Sequence, residues 1–221
     1  MNTSLLLTIA VIGGTGKEGK GLAYRWAKAG YNVIIGSRTA EKAENAASNL
    51  NELLGSDTVK GMENGEAAKA ADMLVLTVPY SAHASTLEMI RDAAQGKIVV
   101  DVTVPLVPPK VMKVQMPKAG SAAQEAQSIL GDDVRVVSAF QNISHEHLMH
   151  DGEIDCDVLV TGKGKDARLE VLKLVASAGM RGLDAGPLEN AMVAEGLTSL
   201  LIYMNKQHGV KSAGIRITGI E

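Results

Sequence analysis

Residues 12–19 read Ile-Gly-Gly-Thr-Gly-Lys-Glu-Gly, and within them Gly14, Gly16 and Gly19 fit the spacing G-x-G-x-x-G. The chemistry open to such a turn is anion binding. Gly14 permits the tight turn, Gly16 lets a pyrophosphate approach the backbone, and Gly19 lets the following helix pack closely on the preceding strand. Thr15, Lys17 and Glu18 fill the places between the glycines and belong to the same turn. The first N–H groups of a helix opening here have no partners within the helix, which suits a phosphate. The pattern alone is weak. An apolar run before it, a helical pattern after it and a second apolar run at the expected interval make it a dinucleotide-binding turn.

The end of that second run selects the dinucleotide. NAD-binding chains place an Asp or Glu there to hold the ribose 2′-OH. This chain has Gly36-Ser37-Arg38-Thr39, with Lys42 one helical turn on. A guanidinium fork and an ammonium suit a 2′-phosphate, and the hydroxyls of Ser37, Thr39 and Thr15 can add hydrogen bonds. The expected cofactor is therefore NADP(H). The plainer reading of Arg38 and Lys42 is a solvated helix start, but cations are unfavourable at a helix N-terminus without an anion. Further on, Thr77-Val78-Pro79-Tyr80 closes a strand at the edge that lines the ligand crevice in open α/β sheets.

Other reactive side chains are less patterned. His145, His147 and His150 cluster around Glu146, with Asp151 and Glu153 as further metal-ligand candidates. An exposed polar turn near Gly152 is the expectation, with no metal bound. His83 borders the same crevice or makes a structural hydrogen bond at a helix start. Asp101 and Asp184 read as turn or cap residues. Asp155 and Asp157 disfavour a thiolate at Cys156. No H-E-x-x-H, G-x-S-x-G or paired-Cys motif is present. With none, no side chain is marked as catalytic.

The elements that must position these residues alternate. Apolar runs at 6–12, 32–35, 72–78, 97–102 and 135–140 read as strands, separated by helical patterns at 17–29, 40–54, 82–94 and 121–130. Buried Val/Ile/Leu runs between helices imply a parallel sheet covered on both faces, an α/β doubly wound Rossmann-type fold. A further strand–helix–strand set follows at 157–161, 165–178 and 181–184, then a long apolar helix at 188–207. Residues 1–140 are expected to form the NADP-binding domain. Residues 141–221 would form a small C-terminal part carrying the acceptor cleft. The apolar segment Leu197–Met204 would suit a homodimer, although an ordinary terminal helix packed on its own sheet would read the same way.

Composition removes other classes. Net charge is −3 and only 3% of the 221 residues are aromatic, which argues against nucleic-acid binding by a basic surface or by base stacking. The run Leu5–Ile12 is too short to span a bilayer and no Lys or Arg precedes it, so neither a membrane span nor a signal peptide is expected. One Cys fits a reducing, cytoplasmic compartment. Tyr80 and Phe140 are two of only six rings, and both fall in segments expected to flank the cofactors.

The chain resembles the NADPH-dependent reductases of the deazaflavin coenzyme F420. The matching stretches are Gly13–Gly16 with Gly19–Ala23, Gly36-Ser37-Arg38 with Glu41-Lys42-Ala43, Val75–Pro79, Lys97–Val100, Val136–Ala139, Leu183-Asp184-Ala185-Gly186-Pro187-Leu188, and Glu195 with Leu197-Thr198. The resemblance implies a Rossmann domain carrying NADP, with F420 as co-substrate lying over the nicotinamide. It implies direct hydride transfer between nicotinamide C4 and deazaflavin C5. Thr15, Ser37, Arg38 and Lys42 would hold the 2′-phosphate, with Val78, Pro79 and Ala139 beside the nicotinamide. One stretch departs. Where members of the family tend to have a His and a Thr-Ile-Pro-Ala-like run, this chain has Phe140-Gln141-Asn142-Ile143-Ser144. Gln141 takes the His place, and Gln141, Asn142 and Ile143 become the acceptor-side residues. The acceptor is thus open between F420 and another small molecule, namely a flavin, ferric iron or a small carbonyl compound. A redox sensor that binds NADP without turnover is the reading from outside the enzymes.

Overall fold

The computed structural model describes residues 7–220. In chain order the elements are β1 (Thr8–Ile12), α1 (Lys17–Lys28), β2 (Asn32–Ser37), α2 (Ala40–Leu54), β3 (Val59–Glu63), α3 (Asn64–Ala70), β4 (Met73–Leu76), α4 (Tyr80–Ala94), β5 (Ile98–Asp101), α5 (Ala122–Leu130), β6 (Arg135–Ser138), β7 (Asp157–Gly162), α6 (Lys165–Ser177), β8 (Arg181–Asp184) and α7 (Ala191–His208). Leu6, which the sequence reading places in the first strand, and Leu5 before it lie outside the described residues.

The strands form one sheet in the order β3-β2-β1-β4-β5-β6-β7-β8. The order reverses at β1, between β2 and β4, the kind of switch point beside which open α/β sheets bind ligands. Pairing is parallel from β3 through β6. The step from β6 to β7 is antiparallel, and β7 and β8 are parallel again. No helical crossover connects β6 to β7. Residues 139–156 return the chain across the sheet edge with only a 3-10 turn at His145–His147, so β7 enters in the opposite sense. The boundary expected after residue 140 lies beside this change of direction.

Period-two alternation divides the core. Ile9 and Val11 face one side of the sheet, where Leu22 and Trp26 of α1, Leu50 of α2 and Leu174 of α6 cover them. Ala10 and Ile12 face the other side with Leu87 and Ile90 of α4, Ala126 and Leu130 of α5 and Ala191 of α7. The core residues of β1, Ile9 to Ile12, are fully buried, as expected of a central parallel strand.

Two elements were not legible in the sequence. β3 is an edge strand, Val-Lys-Gly-Met-Glu, with only Val59 buried. An edge strand needs one apolar face at most, so its composition resembles a loop. α3 spans seven residues rich in Ala and Gly, too few to show a period. The carboxyl ends of β1, β2, β4, β5 and β6 share one edge of the sheet, and every predicted cofactor residue lies there.

Candidate functional site

The glycine turn is built by close approach. The Gly14 amide donates to the Val11 carbonyl at 3.1 Å and to the Gly36 carbonyl at 3.0 Å, joining the end of β1 to β2. A Cβ on Gly14 would stand 2.7 Å from the Val11 carbonyl oxygen, and one on Gly19 2.6 Å from Thr77 Oγ1. Gly13 has φ +73°, and a Cβ there would press on Val78 at 2.5 Å. Packing therefore demands glycine at 13, 14 and 19. At Gly16 it does not. Its φ is −71°, and a Cβ there would meet nothing within 4 Å. The glycine preserves open space at the N-cap of α1, where no side chain caps the helix. That is the room a pyrophosphate needs, so the residues present fit a dinucleotide.

Thr15 and Glu18 are half-buried in this turn and Lys17 is exposed. Burial pushes the Glu18 carboxyl up to about 8. Asn64 was not foreseen. It opens α3, is buried, and its Oδ1 accepts the Gly13 amide at 3.1 Å, so the unrecognised β3–α3 junction clamps the turn. The Asn-Gly pair at 64–65 was a turn signal, but nothing local tied it to residue 13.

At the end of β2, Ser37 is buried, while Arg38, Thr39 and Lys42 are exposed. Among the described residues neither Arg38 nor Lys42 forms an ion pair. Thr39 is the N-cap of α2 and gives no side-chain cap. Two cations and an uncapped helix N-terminus stand together with no acidic partner, which suits a 2′-phosphate.

The next wall is the end of β4. Thr77 donates its amide (2.9 Å) and its hydroxyl (3.1 Å) to the Ile12 carbonyl. Val78 and Tyr80 are half-buried and Pro79 is exposed at the start of α4. The Tyr80 hydroxyl is pushed up to about 12, by burial first and then by the Glu125 carboxylate, so it remains a hydrogen-bond donor. Opposite, Ala139 is fully buried after β6, and its amide donates to the Asp101 carbonyl at 3.3 Å.

Phe140 follows with φ +74°, a left-handed conformation that costs a bulky residue of order 1–3 kcal/mol. The expectation that its ring flanks a cofactor is corrected. The ring is fully buried, edge-on to Trp26 with centroids 5.8 Å apart. The reversal carries the next two amides inward. Gln141 is 3% exposed, and its Nε2 donates to the Asp101 carbonyl at 2.7 Å. Asn142 is 2% exposed, and its Nδ2 donates to the Asp157 carbonyl at 2.7 Å. The carbonyl oxygens of both side chains, Gln141 Oε1 and Asn142 Oδ1, lack partners among the described residues. Ile143 is half-buried against the core. Thr198 of α7 donates its hydroxyl to the Gln141 backbone carbonyl at 2.6 Å. One turn earlier in α7, the buried Glu195 accepts the Ala122 and Ala123 amides at 2.7 and 3.1 Å, capping α5. Burial pushes the Glu195 carboxyl up to about 8 against the pull of those amides.

The histidine cluster serves the fold through its backbone. The buried Arg25 donates to the carbonyls of His147 (2.9 Å), Leu148 (2.9 Å), Gly152 (2.6 Å) and His150. Among the described residues no group of three or more His, Cys, Asp or Glu is placed to hold a metal ion. Cys156 is buried, and burial raises its thiol pKa.

A doubly wound sheet, an open glycine turn at its switch point and unpaired cations after β2 define a Rossmann-type dinucleotide-binding protein. Residues 8–105 match the family described as NADP oxidoreductase, coenzyme F420-dependent. An F420-dependent NADP reductase of Methanothermobacter thermautotrophicus is 45% identical, the match covering 98% of this chain and 97% of the relative. Another, from Methanocaldococcus jannaschii, is 41% identical over 97% of this chain and all of the relative. The crystal structure of an Arthrobacter protein described as an F420-dependent NADP reductase superposes with a TM-score of 0.78 at 25% identity, covering 96% of this chain and 99% of that one. The chain belongs to the family of F420-dependent NADP reductases.

Proposed function

We propose that the protein is an oxidoreductase that transfers a hydride directly between NADP(H) and the deazaflavin coenzyme F420. The observation that carries this is kinship at 41–45% identity along essentially the whole length of F420-dependent NADP reductases. Bound together, the two co-substrates supply the chemistry themselves, a hydride passing between nicotinamide C4 and deazaflavin C5. The chain supplies proximity and orientation. The turn from Gly14 to Gly19 binds the pyrophosphate; Ser37, Arg38, Thr39 and Lys42 hold the 2′-phosphate; Thr77–Tyr80 and Ala139 form the nicotinamide walls. Gln141, Asn142 and Ile143 shape the acceptor side from within, since the two amides are committed to the backbone beneath the cleft.

The acceptor is tested by stopped-flow oxidation of NADPH with F420, FMN, FAD and ferric chelates in parallel. F420 is expected to be reduced fastest. Reduction of another acceptor without reduction of F420 would refute the proposal, and tight NADPH binding with no acceptor reduced would favour a sensor.

The protein also acts as a homodimer in this reading. Met192, Val193, Leu200, Tyr203 and Met204 are all about half-exposed along one stripe of α7, a contiguous apolar surface of the kind that marks an interaction site. A second copy related by a two-fold axis would cover it. A cytoplasmic location accords with the lone buried thiol. Among the described residues no helix is long and apolar enough to cross a membrane.

A further inference from the structure

Asp101, the last residue of β5, is fully buried and links the segment after β4 to the segment after β6. Its Oδ1 accepts the Thr103 amide at 2.9 Å, and Thr103 Oγ1 donates to the Val78 carbonyl at 3.4 Å. Its backbone carbonyl accepts Gln141 Nε2 at 2.7 Å and the Ala139 amide at 3.3 Å. In the proposed function Val78 and Ala139 belong to the nicotinamide walls, and Gln141 to the acceptor side.

What holds Asp101 itself is His83. This imidazole is fully buried one turn into α4, and its Nε2 lies 2.7 Å from Asp101 Oδ2. Its Nδ1 faces Glu125 Oε2 of α5 at 3.4 Å, and the Glu125 side chain is 31% exposed. The Tyr80 ring tilts beside it with centroids 5.9 Å apart. Glu195 of α7 couples electrostatically to the same cluster, although burial pushes its own carboxyl up to about 8. The groups facing His83 are thus Tyr80 from α4, Asp101 from β5, Glu125 from α5 and Glu195 from α7. Burial alone would pull the imidazole pKa down, but the Asp101 hydrogen bond and charge, helped by Glu125, outweigh it and raise the pKa above its ordinary 6.5.

We propose that His83, held between Asp101 and Glu125, is a positioning residue for hydride transfer: it locks the Asp101 hub that sets the nicotinamide walls at Val78 and Ala139 against Gln141 on the acceptor side. The lock is strongest with a charged ring, because a charge-assisted bond is roughly twice as strong as a neutral one. Hydride transfer depends steeply on placement, and a displacement of about 1 Å can cost on the order of 100-fold in rate. The transfer step is therefore full-rate below the raised pKa and slows as pH rises through it. This inference rests on the proposed function for its kinetic readout.

Two variants test it, with single-turnover transfer from 4-deuterated and unlabelled NADPH to F420 followed across pH. His83→Gln keeps a donor toward Asp101 but cannot be charged. It should lower the transfer rate roughly 10- to 100-fold with NADPH affinity unchanged, and lose the alkaline limb. Glu125→Gln, on a part-exposed side chain that does not carry the fold, should keep the limb but move it to lower pH. Wild-type rates in His83→Gln, or an alkaline limb unmoved in Glu125→Gln, would overturn the inference. A readout independent of turnover is the 15N resonance of the His83 ring. It should titrate above 6.5 in the wild type and lower in Glu125→Gln. A ring neutral across that range overturns the inference. Failure of the wild type to reduce F420 at all would instead count against the proposed function, leaving the ring titration to decide the role of His83.

Discussion

Gly19 lies against Thr77. A Cβ added at Gly19 would stand 2.6 Å from Thr77 Oγ1 and 2.7 Å from the Gly14 backbone. The helix that opens at the glycine turn is thereby pressed onto both that turn and the end of β4. Gly19→Ala should cost about 1–3 kcal/mol of stability, since backbone must move to admit the methyl group. Gly16→Ala meets no protein atom, so its melting temperature should hardly change while NADPH affinity falls by at least about tenfold. Denaturation curves and calorimetric titration of both variants check the contrast. Equal behaviour of the two would show that the space at Gly16 is not used by a ligand.

The cations after β2 should discriminate between the two nicotinamide cofactors. Arg38→Ala is expected to weaken NADPH by about 1.5–3 kcal/mol, the worth of a hydrogen bond to a charged group, and Lys42→Ala by less because an ammonium lacks the fork. NADH affinity should not change in either variant. Dissociation constants for both cofactors test this. Equal NADPH and NADH affinity in the wild type would remove the basis for the preference.

Arg25 holds residues 147–152 through carbonyls alone, among them those of His147, Leu148 and Gly152. A Cβ on Gly21 would collide with Leu148, so this segment packs directly on α1. Arg25→Lys keeps the charge but cannot fork to several carbonyls. It should destabilise the protein by about 2 kcal/mol or more and expose residues 147–152 to proteolysis. Urea unfolding and mapped cleavage sites would show it.

Asp157 anchors the C-terminal tail. Its carboxylate takes Arg181 Nε at 2.8 Å, Arg181 Nη2 at 2.6 Å and the Ile217 amide at 2.6 Å. The Arg181 hydrogen bonds foremost hold its pKa below the ordinary 3.8. A carboxyl lowered on folding contributes stability that is complete above its unfolded pKa and is lost as pH falls through its folded one. Acid unfolding should therefore steepen below about pH 4. Asp157→Asn should be less stable near neutrality and should unfold over a flatter acid profile. Melting temperature as a function of pH measures both.

The apolar stripe of α7 should decide association. Leu200→Glu, at a side chain 52% exposed, is expected to give a monomer of native stability. Light scattering at micromolar concentration checks this. A wild type already monomeric there would refute the homodimer.

Much of the candidate site was legible in local pattern. The glycine spacing, the missing carboxylate after β2 and the Pro79 terminus of β4 are properties of neighbouring residues, and each sits at the sheet edge where doubly wound topology predicts ligand contacts. Period-two runs such as Ile9–Ile12 show burial because each residue must face one side of the sheet or the other. The edge strand β3, the short α3 and the antiparallel entry of β7 left no such trace.

The sequence by itself determined a Rossmann chain that binds a phosphate-bearing dinucleotide, because handedness, burial and helix-terminus chemistry follow from short-range spacing. Only the tertiary structure decided which groups meet. Asn64 reaches Gly13 across 51 positions, Glu195 reaches Ala122 across 73, and Gln141 reaches Asp101 across 40. It also turned Phe140 into the core and placed His83 between two carboxylates. A buried polar group must find a partner wherever the packed chain offers one, and that choice is made in space after the elements have docked.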